Sequence, residues 1–505
     1  MQVAAAPPLK KRHALSWLGH PLILVATFVA VVAPTILRHE MWHDELNSWD
    51  VARDARTLHG LFANMHLEAH PAIWYLCLYA ITRFTSDPRA MQALHLIVAT
   101  GTVAIIAWAS PFTRLERWLL AFGYLFVFEF AVISRGYALG ILLAVGFCVA
   151  YTKPQPRIAV LALLLALLAN TSLYGVFMTL ALSAAVIVDG VDGRLPRRPA
   201  LVAGAVVVGA ATIVSLLTLY PAPDNMFARG WHRFNPTRVE GVLALAWAAY
   251  VPLPDFGAAS PWNSNFLIAE AAHMLMLPRG LPAAALAVAL LAGAAFSLRR
   301  DRAAVTTLLV GTALMLAFIY LKYSGGMRHH GHAFILFIVA IWIARRGLRP
   351  ARANPALVAL LVCQAVAGIY FVVQDLREPF SFSKDLTEYV LTLPRTTPVV
   401  VAEPTFLSFT GPVLSGYLRK PVTYVLGDRV VRGSFMAPDA EHQRGATEEE
   451  ILAQLQRFAA ERGSDVYVVT NNWEPTIFGP AVAHFDRHLE GDERMADVYL
   501  FRRAP

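Results

Sequence analysis

Residues 41–54 read MWHDELNSWDVARD and follow directly on the first long apolar run, residues 17–37. Two adjacent carboxylates, Asp44 and Glu45, therefore stand where the chain has just left an apolar segment. Ionisable residues at a bilayer are costly to place, and they are typical of functional sites. The alternative interpretation is that the pair only marks the end of a helix and the boundary with water.

The composition of the chain indicates a polytopic membrane protein. Of its 505 residues, 57% are hydrophobic and only 15% are charged, whereas about a quarter are charged in a typical soluble protein. Several apolar runs are long enough to span a hydrocarbon core of ~30 Å. The net charge of +8 is explained by short basic loops between these runs, so it does not indicate a nucleic-acid partner.

The placement of basic residues predicts roughly eleven transmembrane helices. Residues 71–84 are too short to cross comfortably, so we expect an interfacial or re-entrant segment there. The later clusters of arginine and lysine then all fall on the cytoplasmic side, together with the basic tail of residues 1–16. The predicted spans are residues 17–37, 91–110, 118–133, 136–151, 158–174, 175–189, 200–220, 281–298, 303–322, 332–344 and 355–374.

Two domains are predicted. Residues 1–374 form a mainly α transmembrane domain with a first external loop at 38–89, and residues 375–505 form a small extracytoplasmic α/β domain. Short apolar runs at 398–402 and 465–469 are typical of buried strands, and they alternate with an amphipathic helix. The long loops with mixed polar residues lie opposite the arginine clusters, which predicts that function is extracytoplasmic.

The first external loop has helical periodicity. Trp42, Leu46 and Trp49 recur at i, i+4 and i+7, which predicts an amphipathic helix lying in the membrane interface. A carboxylate in such a partly desolvated place is a good general base. We therefore assign Asp44 as the candidate base and Glu45 as a support for the acceptor or for a neighbouring helix, and the two roles can be exchanged.

Three further motifs on the same side favour an anionic ligand. His70, before Pro71, donates to a phosphate if its imidazole is protonated; otherwise it is an interfacial histidine. Arg135 stands between two apolar runs, where its planar guanidinium suits phosphate oxygens or forms a salt bridge to Asp44 or Glu45. These two interpretations of Arg135 are compatible.

Residues 325–332 read GGMRHHGH and precede a late span. Arg328 and His329 at this point predict an anion site at a helix N-terminus. A divalent metal is the less favoured alternative, because adjacent histidines point apart and no HExxH spacing is present. Tyr137, His330 and Lys322 are the predicted lining of the substrate cavity.

The order and placement of these motifs resemble the GT-C superfamily of polytopic membrane glycosyltransferases, which includes protein O-mannosyltransferases and the aminoarabinose transferases of lipid A. The resemblance covers residues 17–350 and is carried by Asp44-Glu45, His70-Pro71, the 134–139 junction and Arg328-His329. Many members of the superfamily have Lys-Pro-Pro where this chain has His70-Pro71-Ala72. Aminoarabinose-transferase-like members carry a further Asp after the Arg-Tyr junction, and residues 138–140 of this chain, Ala-Leu-Gly, lack it.

The resemblance implies an inverting hexosyl- or pentosyltransferase in a bacterial inner membrane. Its donor is a polyprenyl-phosphate-linked sugar, and its acceptor is an extracytoplasmic lipid, glycan or protein. Asp44 is then the base, Glu45 supports the acceptor or the structure, and the donor phosphate meets a basic set of His70, Arg135, Arg328 and His329. No cofactor is implied with certainty.

Two other functions remain open. A transporter or flippase of a lipid-linked sugar shares the basic cavity, but transporters often have internal repeats and polar sites at the membrane midplane. This sequence has no evident repeat, and its polar residues gather on one face. A polymerase or ligase of lipid-linked glycans shares the phosphate chemistry.

Overall fold

The structure is a computed structural model that describes residues 20–503 apart from short gaps. The predicted basic tail at residues 1–16 lies outside the described residues. The gaps are 196–197, 221–230, 269–279, 349–351, 403–409, 436–445, 487–488 and 492–494, together with the single residues Leu67, Ala69, Asp428, Asn472, Glu474, Thr476 and Glu490.

The described chain is mainly helical and ends in a small sheet. Its helices are α1 Pro21–Arg38, α2 His43–Arg53, α3 Leu58–Met65, α4 Ala72–Thr82, α5 Arg89–Ala109, α6 Arg114–Ala121, α7 Tyr137–Tyr151, α8 Ile158–Ala169, α9 Leu173–Val191, α10 Arg198–Leu219, α11 Pro236–Tyr250, α12 Leu281–Leu298, α13 Arg302–Leu321, α14 Met327–Ala344, α15 Pro355–Arg377, α16 Ser383–Thr392, α17 Thr410–Leu418 and α18 Glu448–Arg462.

The apolar helices confirm a multi-pass membrane protein. In the described residues, eight helices are long and apolar enough to cross a membrane, namely α1, α5, α9, α10 and α12–α15. The apolar helices α4, α7 and α8 are shorter, with 10–17 residues each. The 11-residue α4 lies where the sequence predicts an interfacial or re-entrant segment.

The continuous span predicted over residues 118–133 is wrong. Helix α6 ends at Ala121, and a five-residue π-helix, Leu125–Glu129, follows it. Residues 123–135 are all buried, and a Cβ added at Gly368 of α15 would lie 2.4 Å from the Phe122 carbonyl oxygen. Irregular backbone is tolerated at membrane depth where protein surrounds it, and that is the situation here.

Two other predicted spans have different limits. The run at 158–174 divides, because α8 ends at Ala169 and α9 begins at Leu173. Ser172 caps α9 by accepting a hydrogen bond from Gly175 N–H. The late span predicted from residue 332 begins five residues earlier, at Met327.

Arginine–carboxylate pairs tie together one end of the helical bundle. Arg345 at the end of α14 makes two contacts with Glu116 of α6, at 2.9 and 3.0 Å. Arg346 reaches Asp301, the N-cap of α13, at 2.8 Å. This is the end that the sequence predicts to be cytoplasmic.

The C-terminal part of the chain forms a small α/β region, which confirms this part of the predicted fold class. Its six strands are β1 Val399–Ala402, β2 Val422–Val425, β3 Val430–Gly433, β4 Val466–Asn471, β5 Ala483–Phe485 and β6 Ala496–Phe501. They form one sheet in the order β3-β2-β1-β4-β6-β5, in which β1 pairs in parallel with β2 and β4. Helix α18 begins with a capping box at Thr447 and Glu450.

The first loop packs directly against the C-terminal domain. Ser383 Oγ donates to the Met41 carbonyl at 2.6 Å, and Arg53 Nη1 donates to the Ser415 carbonyl at 2.9 Å. A Cβ added at Gly416 of α17 would lie 2.7 Å from the Leu46 side chain, so a larger residue there would displace Leu46. The first loop and the C-terminal domain therefore lie on the same side of the membrane helices.

Cysteine labelling tests this arrangement. In a variant whose three native cysteines are replaced by serine, single cysteines are placed at the exposed positions His59, Thr396 and Arg300. A membrane-impermeant maleimide added to intact cells is expected to label the positions of His59 and Thr396 and to leave that of Arg300 unlabelled. Labelling of only one of the first two would contradict their shared side, and labelling of all three would contradict the opposite placement of Arg300.

Candidate active site

Helix α2 presents the two adjacent carboxylates in different directions. Its first turn holds Asp44 and Glu45, where acidic side chains favour the helix N-terminus. The prediction that α2 lies in the membrane interface is wrong, since Trp42 and Trp49 are fully buried. Leu46 and Trp49 pack with the C-terminal domain, and Trp42 packs against Trp262 and Phe380.

Asp44 lies between two arginines that are distant in the sequence. Its Oδ2 is 2.7 Å from Arg328 Nη2 and 3.7 Å from Arg135 Nη1. Burial alone would raise the pKa of Asp44, but the Arg135 and Arg328 guanidinium groups hold it well below its usual range. The Asp44 side chain is 24% exposed, against 8% and 10% for the arginines, so the carboxylate is the most accessible of the three groups.

Arg135 is held by several acceptors besides this carboxylate. Its Nη1 donates to the Asp44 carbonyl and, at 3.3 Å, to Ser48 Oγ, and its Nη2 donates to His70 Nε2 at 3.4 Å. The salt bridge between Arg135 and Asp44 is one of the two roles predicted for Arg135; the other, binding of phosphate oxygens, stays a prediction. These contacts fix the plane of the guanidinium.

His70 meets Arg135 as a neutral acceptor. Its Nδ1–H donates to the Glu68 carbonyl at 2.6 Å, which leaves Nε2 to accept from Arg135. Burial and the Arg135 guanidinium lower the pKa of His70 to about 4. The protonated imidazole that the sequence suggests is therefore absent from this geometry, and a contact between His70 and a phosphate stays a prediction.

Arg328, at the start of α14, lies against two aromatic rings that also contact each other. Its guanidinium carbon lies 4.7 Å from the ring centroid of Trp42 and 5.7 Å from that of Trp262, distances suited to cation–π attraction. Met327 N–H at the same helix end already donates to Asn263 Oδ1 at 2.6 Å. The side chain of Arg328, more than the helix terminus, thus offers the charge for an anion.

His329 orients the hydroxyl of Tyr137. Gly326 N–H donates to His329 Nδ1 at 2.9 Å, so the proton of the neutral ring is on Nε2 and is donated to Tyr137 Oη at 3.0 Å. Tyr137 is then free to donate its own proton to a ligand. Tyr137 lines a small cavity together with Ser48 and Arg135.

His330 and Lys322, the other two residues predicted to line the substrate cavity, are not among the residues that line the small cavity. His330 is buried, with Nε2 3.3 Å from the Gly325 carbonyl oxygen. Lys322 ends α13, where its ammonium lies 5.1 Å from the ring centroid of the exposed Trp231. Within the described residues, no group of three or more His, Cys, Asp or Glu side chains has the geometry of a metal site.

Glu45 is a structural anchor of the site. Its fully buried carboxylate accepts from Ser134 N–H at 2.6 Å and from His39 Nε2 at 3.1 Å. His39 Nδ1 donates to Asp375 at the end of α15 at 2.9 Å. Burial opposes protonation, but Asp375 and Glu45 raise the pKa of His39 to about 10. Of the roles left open for Glu45, this geometry favours support of a neighbouring segment.

Sequence reasoning missed the partners of this anchor. His39 follows the first span, and Asp375 lies at the end of the last one. The only signal in the sequence was that each of these polar residues lies at the end of an apolar run. Their pairing across 336 positions of sequence was not readable from the chain.

Comparisons with known proteins found structural neighbours only. No protein-family model matches the chain, and no curated protein sequence matches it. The chain is similar to ArnT from Cupriavidus metallidurans, solved bound to undecaprenyl phosphate, with 14% identity and a TM-score of 0.39 over 96% of this chain and 98% of that one. The same protein in the apo state gives 15% identity and a TM-score of 0.38 over the same shares.

Replacement of Glu45 tests the anchor. Glu45→Gln leaves the buried His39 cation with one carboxylate, and breaking a buried ion pair costs about 3–5 kcal/mol. We expect a clearly lower thermal midpoint in detergent. The exposed Glu388, 4.0 Å from Lys384, is the control, because Glu388→Gln should change stability by less than about 1 kcal/mol. Equal midpoints for the two variants would contradict the anchor.

Proposed function

We propose that this protein is an integral membrane glycosyltransferase that transfers a sugar from a polyprenyl-phosphate donor to an extracytoplasmic acceptor. The single observation that carries the proposal is the cluster of Arg135, Arg328 and Asp44 beside the first loop. Two nearly buried guanidinium groups share one partly exposed carboxylate there. The class of donor follows from the resemblance of the sequence motifs.

The charge of the cluster favours a phosphate. The two arginines carry two positive charges against the single negative charge of Asp44, and His70 is neutral. Arginine binds phosphate through paired, charge-assisted hydrogen bonds that are stronger than neutral ones. A phosphate would therefore complete the charge balance of the site, with Asp44 acting as the internal counter-ion in its place when no donor is bound.

Donor binding would also activate Asp44. While both arginines face Asp44, its low pKa makes the carboxylate a weak base. A phosphate that takes over the arginines removes this attraction and adds a nearby negative charge, and both effects raise the pKa of a carboxylate. Asp44 then takes a proton from the acceptor hydroxyl or amine.

Transfer follows from the two halves of this site. The activated acceptor attacks the anomeric carbon and the bond from this carbon to the donor phosphate breaks. This in-line displacement inverts the configuration at the anomeric carbon. Arg135 and Arg328 stabilise the charge that develops on the departing phosphate, which is often the largest catalytic contribution. Tyr137, oriented by His329, is placed to donate to the ligand in the same cavity.

A transporter or flippase of a lipid-linked sugar is the second candidate. It fits less well, because the paired charges lie at the end of the bundle beside the first loop and not midway along the helices. A polymerase or ligase of lipid-linked glycans would use the same phosphate site. The products of the transfer assay distinguish it, since it would extend or move a glycan chain.

A transfer assay tests the function. Purified protein in liposomes is offered polyprenyl-phosphate-linked hexoses and pentoses with membrane-extracted lipid and glycan acceptors, and released polyprenyl phosphate is measured. The wild type is expected to release it, and Asp44→Asn to lower the rate by ~10²–10⁴-fold, the usual contribution of a general base.

Asp54→Asn is the matched control. Asp54 is on the same helix, is 27% exposed and pairs with Arg53 at 2.7 Å, so the variant should keep transfer. Release at the wild-type rate by Asp44→Asn would remove the base role of Asp44. Transport of the donor without release by the wild type would contradict the glycosyltransferase.

A further inference from the structure

Glu68 is a second carboxylate beside the candidate site, and it has no role so far. We propose that Glu68, reached through the hydroxyl group of Tyr75, receives the proton that Asp44 takes from the acceptor and so resets the site after each transfer. This inference rests on the proposed function. It adds a proton route that neither the sequence motifs nor the arginine cluster indicates.

Glu68 is buried among neutral hydrogen-bond donors. Its Oε1 accepts from Asn47 Nδ2 at 2.7 Å, and its Oε2 accepts from Tyr75 Oη–H at 3.2 Å. Asn47 stands one helical turn after Asp44 on α2. Neutral donors satisfy a carboxylate whether or not it gains a proton, so this environment suits a group that changes its protonation state.

Tyr75 connects Glu68 to the cavity of the candidate site. Tyr75 lines the same small cavity as Ser48, Arg135 and Tyr137. The Ser48 hydroxyl is within hydrogen-bonding reach of Tyr75 and lies 3.3 Å from Arg135 Nη1. The same Arg135 nitrogen is 3.7 Å from Asp44 Oδ2. The Ser48 hydroxyl itself donates to the Asp44 backbone carbonyl at 3.0 Å. Ser48, Tyr75 and Glu68 thus form a chain of polar groups that begins beside the Arg135–Asp44 pair.

Glu68 and Asp44 differ strongly in their affinity for a proton. Burial raises the pKa of Glu68 to about 7, although Asn47 and the Arg135 charge oppose the rise and Asp44 adds to it. The arginines hold the pKa of Asp44 far lower. Two histidines are also near Asp44: His70 is neutral, and His43 Nε2 lies 3.6 Å from Asp44 Oδ1. Carboxylates whose environments push their pKa values apart take different acid–base roles.

The direction of proton flow follows from the cycle. When the polyprenyl phosphate leaves, Arg135 and Arg328 return to Asp44, which then holds its new proton poorly. The Asp44 O–H bond breaks and its proton goes to Ser48 Oγ once the Ser48 hydroxyl turns away from the Asp44 carbonyl. Ser48 gives its own proton to Tyr75 Oη, and Tyr75 gives its original proton to Glu68 Oε2. Asp44 ends ionised and Glu68 ends neutral, and above pH 7 Glu68 releases the proton to solvent.

The pH dependence of transfer tests this route. The turnover rate kcat of the wild type is expected to fall as the pH drops through about 7, because Glu68 is then already protonated. Glu68→Gln should lower kcat at pH 7.5 by about 10²-fold, the lower end for a positioned proton acceptor, and abolish that part of the profile. Its KM for the donor should stay within about twofold, and Glu68→Asp should restore part of the profile.

A second variant and a matched control separate a proton route from a structural effect. Tyr75→Phe removes the link and should lower kcat as Glu68→Gln does. Glu40 is also buried in the first loop and has a pKa raised to about 7 by burial and by Asp385, but it faces the C-terminal domain. Glu40→Gln should keep the wild-type profile, and the thermal midpoint is recorded for every variant.

Two results would contradict the route. An unchanged pH profile in well-folded Glu68→Gln would remove Glu68 from the proton path while leaving the glycosyltransferase intact. A profile lost equally in Glu40→Gln would show a general effect of buried carboxylates. Failure of the proposed function itself would look different, since the wild type would then give no transfer at any pH.

Discussion

The pairing of Asp44 with two arginines is the constraint on which the candidate site depends. Asp44 comes from the first turn of α2, Arg135 from the junction before α7, and Arg328 from the start of α14. Buried charges are tolerated when they are paired, and removing one partner is strongly destabilising. Three distant parts of the chain must therefore meet at one point, and in the proposed function their geometry is held ready for the donor phosphate.

The neighbouring carboxylate keeps that meeting point in place. Adjacent residues of a helix point about 100° apart, since a turn holds 3.6 residues, so Asp44 is partly exposed while Glu45 is fully buried. Glu45 joins α2 to the Ser134 backbone directly and to the end of α15 through His39. Because the C-terminal domain follows α15 and packs on α2, the same contacts position that domain over the first loop.

Particular residues show what the sequence could predict. Asp44, Arg135 and Arg328 stand out because an ionisable residue beside an apolar run needs a partner or a ligand, and the structure brings all three together. The strand patterns near residues 400 and 467 were recognisable for a similar reason, since short β-branched runs favour buried strands.

Other features depend on three-dimensional packing that no local pattern records. Residues 118–133 are as apolar as a lipid-facing helix, but they are enclosed by protein and contain a π-helix. Trp49 packs in one cluster with residues of the C-terminal domain, such as Phe382 and Leu386, which are more than 330 residues further along the chain. Glu68 is one acidic residue of a polar loop until Tyr75 and Asn47 are seen to enclose it.

Binding of a short-chain polyprenyl phosphate, measured by titration calorimetry, tests the central claim that Asp44 occupies the place of the donor phosphate. Arg135→Ala and Arg328→Ala should each weaken binding by roughly 10–10²-fold, because a hydrogen bond to a charged group contributes about 1.5–3 kcal/mol. Asp44→Asn should bind at least as tightly as the wild type, since the competing carboxylate is gone. Binding that weakens in Asp44→Asn as much as in the arginine variants would contradict the account.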